Sequence, residues 1–112
     1  MKLAIIGSRT IEDLNLSCYI PDGVTEIVSG GAKGVDSCAA RYAEENHIPL
    51  TVFRPNYAFY GKGAPLKRNE QIAGYADAAL VFWDGKSRGT AQTILCFQRL
   101  GKPCSVIHLS SI

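Results

Sequence analysis

Cations, hydroxyls and glycines recur together at three points of this chain, and that combination is the chemistry of anion recognition. Gly7–Ser8–Arg9, Ser29–Gly30–Gly31–Ala32–Lys33–Gly34 and Asp84–Gly85–Lys86–Ser87–Arg88–Gly89–Thr90 each follow a short apolar run. Glycine lets a backbone turn sharply and approach a ligand closely, and a helix starting just beyond offers free N–H groups to an anion. One such turn serves packing as readily as binding. Three of them, each with a cation, point to a phosphate-bearing ligand.

The segments differ in detail. Ser29 to Asp36 has adjacent glycines, so it matches neither GxxxxGK[ST] nor GxGxxG. It still suits a phosphate or a ribose at the start of the next helix. Asp36 either accepts a ribose hydroxyl or favours the helix dipole from the first turn. Lys86 to Thr90 sets two cations and two hydroxyls at another helix start. That is a phosphate cradle with Ser87 or Thr90 donating, or an exposed turn with Ser87 as N-cap. Arg9 follows the first strand directly, which puts it at the centre of the expected crevice. The loop Asn56 to Ala64 carries Tyr57, Phe59 and Tyr60, which form a lid over a base or fold onto the domain edge. Lys67, Arg68 and Asn69 open a helix from that loop and can reach the same ligand.

Catalytic equipment is sparse. Asp36, Glu70 and Asp84 are the carboxylates available to activate water for N-glycosidic bond hydrolysis, and none pairs as an acid with an obvious base. His47 and His108 belong to no motif. Cys18, Cys38, Cys96 and Cys104 lack the close spacing of zinc or redox sites and read as small buried hydrophobes. No metal and no obligatory cofactor are expected.

These residues need a scaffold that brings three loops to one edge. Apolar runs at about 2–6, 25–29, 50–54, 78–83 and 103–108 alternate with helical patterns near 11–18, 34–46, 65–75 and 89–100. Thr10 with Asp13 resembles a capping box for the first helix, Pro65 suits the first turn of the third, and Gly101 ends the fourth. Ile94, Phe97 and Leu100 are expected on one face of that last helix. Strand–helix alternation with right-handed crossovers predicts a doubly wound, Rossmann-like α/β fold with a parallel five-stranded sheet in the order 3-2-1-4-5. In that order strands two, one and four are neighbours at the topological switch, where ligands bind such sheets.

With 112 residues, 46% of them hydrophobic, the chain fits one compact domain, 1–112. The net charge of +2 makes no case for nucleic acid by itself. Its placement does favour an anionic ligand on one face: Arg9, Lys33, Arg54, Lys62, Lys67, Arg68, Lys86 and Arg88 all lie in or beside segments that follow strands. No apolar run approaches the length of a membrane span, and Lys2 to Ile6 leads straight into a strand, so a cytoplasmic protein is expected. The breadth of apolar surface from Ile94 through Leu100 gives the expectation of a homo-oligomer.

Gly7–Ser8–Arg9, Ser29 to Asp36, Lys67–Arg68–Asn69 and Trp83 to Thr90 together closely resemble the SLOG superfamily of Rossmann-like proteins, and within it the small single-domain group. The superfamily includes the lonely-guy phosphoribohydrolases and the DNA-processing protein A. The resemblance implies binding of nucleotides or nucleotide-derived ligands at the glycine-rich edge. The lonely-guy enzymes follow their Gly-Thr with a catalytic glutamate, whereas here Gly89–Thr90 is followed by Ala91–Gln92–Thr93. The expectation is therefore a small-molecule nucleotide ligand, of nucleoside phosphate, NAD or ADP-ribose type. A nucleotide N-glycosidase and a single-stranded nucleic-acid binder are the alternatives.

Overall fold

The computed structural model describes residues 1–11 and 13–109. Five parallel strands form one sheet in the order β3-β2-β1-β4-β5: β1 (Lys2–Gly7), β2 (Glu26–Ser29), β3 (Leu50–Val52), β4 (Ala78–Trp83) and β5 (Cys104–His108). The helices are α1 (Val35–Glu45), the short α2 (Tyr57–Tyr60), α3 (Ala64–Tyr75) and α4 (Arg88–Arg99). The expected class and strand order are both present.

The central strands are apolar on both sides because both of their faces are covered. Along β1, Leu3 and Ile5 enter one core while Ala4 and Ile6 enter the other. β4 divides the same way: Ala78, Leu80 and Phe82 against Ala79 and Val81. α1 covers the first face through Val35, Cys38, Ala39 and Ala43. α3 and α4 cover the second, through Ile72, Ala73, Ile94, Cys96 and Phe97. β1 registers with β4 from Leu3↔Ala78 to Gly7↔Phe82 and with β2 from Lys2↔Glu26, so the three C-terminal ends finish close together.

Two elements depart from expectation. The helix expected near 11–18 is reduced to a 3-10 turn at Leu16–Cys18, capped by Asn15, whose side chain accepts from the Ser17 N–H. Glu12, within that expected helix, lies outside the described residues. Thr10 is drawn elsewhere: its hydroxyl donates to Asp84 Oδ2 at 3.2 Å instead of capping a helix. Conversely, the expected loop 56–64 is largely helical. Asn56 accepts from the Phe59 N–H to start α2, and a 3-10 turn at Gly61–Gly63 leads into α3. On α4, Ile94 and Phe97 are buried as expected, but Leu100 is the helix C-cap and 55% exposed. Among the described residues no helix is long and apolar enough to cross a membrane.

Candidate functional site

A cavity of about 370 Å³ opens beyond the C-terminal ends of the central strands. β1 contributes Ile6 and Gly7, with Arg9 and Thr10 from its loop; the β2 loop contributes Gly30 and Ala32, and α1 contributes Asp36. Pro65, Leu66, Arg68, Asn69 and Ile72 of α3 form one wall. Asp84, Ser87, Gly89, Thr90 and Thr93 form another, from the β4 loop and the start of α4.

A hydrogen-bond framework shapes these loops. The buried Ser8 joins two strands' ends: its N–H donates to Phe82 O at 3.0 Å, and its hydroxyl accepts from the Asp84 N–H at 3.1 Å. Asp84 in turn folds the β4 loop, Oδ1 accepting from the N–H groups of Lys86 and Ser87 at 2.8 and 2.9 Å. Those two bonds are the main reason its carboxyl is held down at about 2. Ser87 caps α4 by accepting from the Thr90 N–H at 3.3 Å and the Thr90 hydroxyl at 3.0 Å. Among the described residues no acceptor stands against the N–H groups of Arg88 and Gly89, at the positive end of a twelve-residue helix.

Across the cavity, Arg68 is clamped. Its Nη1 donates to Gly30 O at 2.7 Å and its Nε to Asn69 Oδ1 at 2.8 Å. Asn69 passes the connection on to Gln92 Oε1 at 2.8 Å and Gly89 O at 3.4 Å. One chain of bonds therefore fixes the β2 loop, α3 and α4 relative to one another. Burial lowers the Arg68 pKa, opposed by the charges of Asp36 and Tyr57. Asp36, with only 8% of its surface exposed, accepts from the Ala32 N–H at 2.9 Å. Burial pushes its carboxyl up, opposed by that hydrogen bond and by Arg68 and Arg9.

The cavity thus gathers Gly7, Arg9, Gly30, Asp36, Arg68, Asn69, Asp84, Ser87, Gly89 and Thr90 from the residues singled out in the sequence. Others stand outside its lining. Ser8 and Ser29 are about 1% exposed and serve the loops; Ser29 accepts from the Gly31 N–H at 3.2 Å. Gly31 has a φ of +71° beside Val52 and Arg54, a backbone reason for glycine. Gly34 sits against carbonyls: an added Cβ would stand 2.7 Å from Arg9 O and 2.8 Å from Ser8 O. Lys33 and Gly34 border a separate shallow hollow with Ser37 and Arg41. Lys86 and Arg88 are exposed beyond the rim. Glu70 pairs with Lys67 at 3.5 Å on the outer side of α3. Tyr57 and Phe59 are exposed at 60% and 76%, so these two aromatics are not folded onto the domain edge, whereas Tyr60 is half-buried.

Sequence reasoning passed over Thr10, Pro65, Leu66, Ile72 and Thr93. Thr93 was signalled by lying three residues after Thr90, one turn along the same helix face. The apolar residues of α3 gave no signal, because core and cavity use the same side chains. Among the described residues no group of three or more His, Cys, Asp or Glu side chains could hold a metal ion. Of the three carboxylates considered for water activation, only Asp36 combines the cavity with a raised pKa.

A family model described as "YAcAr: YspA, cpYpsA-related SLOG family" matches residues 1–60. The chain is also similar to the "Gene 61 protein" of Mycobacterium phage D29, at 34% identity over 83 residues. That match covers 69% of this chain and 66% of the phage protein, just under two thirds of its length. No solved structure matches. The glycine-rich edge of a parallel 3-2-1-4-5 sheet and the family match agree, and the chain belongs to the YspA, cpYpsA-related SLOG family.

Proposed function

We propose that this protein binds a nucleotide or nucleotide-derived ligand in the cavity at the C-terminal edge of its sheet. The observation that carries the reading is the convergence of Arg9, Arg68 and Gly89, the latter in the first turn of α4, around one cavity. Two guanidinium groups and a helix N-terminus attract phosphate, and buried charge-assisted bonds are the strong ones. The phosphate is assigned to the start of α4 with Arg9. The volume, about 370 Å³, is near the lower end of the roughly 300–1,000 Å³ of small-molecule sites and favours a mononucleotide-sized ligand. Pro65 and Leu66 supply an apolar wall for a base, and Tyr57 stands near Arg68.

Membership of a SLOG family supports nucleotide-related function without choosing a ligand. Thermal-shift screening against ribonucleotides, followed by calorimetric titration, tests the reading directly. A ligand at about 100 times its Kd adds roughly 2.7 kcal/mol to stability. Silence across the panel, or inorganic phosphate stabilising as well as any nucleotide, counts against it. Release of free base during long incubation would make the protein a hydrolase of this ligand class.

A further inference from the structure

We infer that Asp36 is a specificity-determining residue that holds a sugar hydroxyl, so that the site prefers ribonucleotides over their deoxy counterparts. The inference rests on the nucleotide reading above and narrows it to a substrate class. Asp36 lines the cavity, yet more than nine-tenths of its surface is buried. Its Oδ2 accepts from the Ala32 N–H at 2.9 Å, while Oδ1 accepts no hydrogen bond among the described residues. Arg68 is beside it: Nη1 of Arg68 and Oδ2 of Asp36 lie 2.6 and 3.2 Å from the point where a Gly30 Cβ would stand. The guanidinium nevertheless directs its donors to Gly30 O and Asn69 Oδ1, forming no ion pair with the carboxylate. Among the described residues no buried side-chain oxygen lacks a partner, so Oδ1 is reached from the cavity and stays open to a donor on a ligand.

That donor is not the phosphate, which a carboxylate repels. It is an uncharged part of the ligand reaching deep into the site rather than its mouth, where Leu66 is 52% exposed. In a mononucleotide with its phosphate at the start of α4 and its base against Pro65 and Leu66, the sugar lies between. Its hydroxyls are the donors available there. A hydroxyl bound to a carboxylate is a charge-assisted contact, and a site built for one rejects the analogue that lacks it.

The test is calorimetric titration of the protein with the four ribonucleoside 5′-monophosphates and their 2′-deoxy and 3′-deoxy counterparts, repeated on Asp36→Asn. The wild type is expected to bind the best ribonucleotide about tenfold or more tightly than at least one of its deoxy forms. Asp36→Asn, which keeps an acceptor for the Ala32 N–H, should bring the pair to within about threefold by weakening the ribonucleotide. Equal affinity of the wild type for ribo and both deoxy forms overturns the role of Asp36 and leaves the nucleotide reading standing. A preference that follows the exocyclic amine of the base, instead of the sugar, also overturns it. Failure of every nucleotide to bind overturns the nucleotide reading, and this inference with it. The wild-type comparison decides the matter even where the variant does not fold.

Discussion

Arg9 and Arg68 both line the cavity, but their surroundings predict opposite consequences of removal. Arg68 makes two hydrogen bonds to protein acceptors, at 2.7 and 2.8 Å. Arg68→Met leaves Gly30 O without its donor, frees Asn69 Oδ1, and removes a cation that offsets the burial of Asp36. Each bond from a half-buried guanidinium is worth about 1–1.5 kcal/mol, no more than the lower limit of the range for charged donors because the group keeps part of its hydration. The loss is then about 2–3 kcal/mol, a fall in Tm of roughly 8–12 °C for a chain of this size. Arg9 is exposed and its side chain makes no hydrogen bond to any of the described residues, so Arg9→Ala should alter stability by less than about 0.5 kcal/mol. If Arg9 meets phosphate, the same substitution weakens nucleotide affinity about 10- to 100-fold. Arg68→Lys keeps the charge but not the fork, and should recover less than half of the lost Tm. Scanning calorimetry and titration with a ribonucleoside 5′-monophosphate read both quantities on the same samples. The reasoning is refuted if Arg9→Ala lowers Tm as far as Arg68→Met, or if it leaves affinity untouched.

Four further outcomes are expected. Asp84→Asn should lower Tm at neutral pH: with a folded pKa of about 2 against 3.8, the carboxylate stabilises above pH 3.8. The difference from wild type should vanish in melts as pH falls through about 2. Asp36 has the opposite sign. Its raised folded pKa means that stability is lost as pH rises, so Asp36→Asn should melt higher than wild type at neutral pH, the gain disappearing below pH 3.8. Gly34→Ala forces a Cβ to 2.7 Å from a backbone carbonyl at a φ of +75° and should cost about 2–4 kcal/mol. By contrast Gly89→Ala has open space and a helical setting, and should gain about 0.4–1 kcal/mol while its methyl weakens ligand binding.

The sheet was legible because its central strands carry nearly unbroken apolar runs, Leu3 to Ile6 and Ala78 to Trp83, which parallel strands buried on both faces require. The candidate site was legible where a local backbone need dictated residue type, as with Gly34 at a φ of +75° and the Ser87 cap of α4. It was less so where a long-range partner decided. Thr10 and Asp13 have the spacing of a capping box, yet Thr10 bonds to Asp84, 74 residues away. Asn56 reads as a loop residue, and only its bond to the Phe59 N–H reveals a helix start. Lys86 and Arg88 carry the same charge as Arg9 and Arg68. Which cations face the cavity depends on the packing of α3 against α4, and charge spacing along the chain does not encode that.

The central claim is that nucleotide binds at the strand C-terminal edge, with phosphate at the start of α4. Amide chemical-shift mapping during titration with a ribonucleoside 5′-monophosphate tests it most directly. The account predicts saturable shifts concentrated at Arg9, Thr10, Gly30, Arg88, Gly89 and Thr90, with the Arg88 and Gly89 amides moving most as they bind the phosphate. Shifts centred on Lys33, Ser37 and Arg41, with Arg88 and Gly89 unmoved, would contradict it.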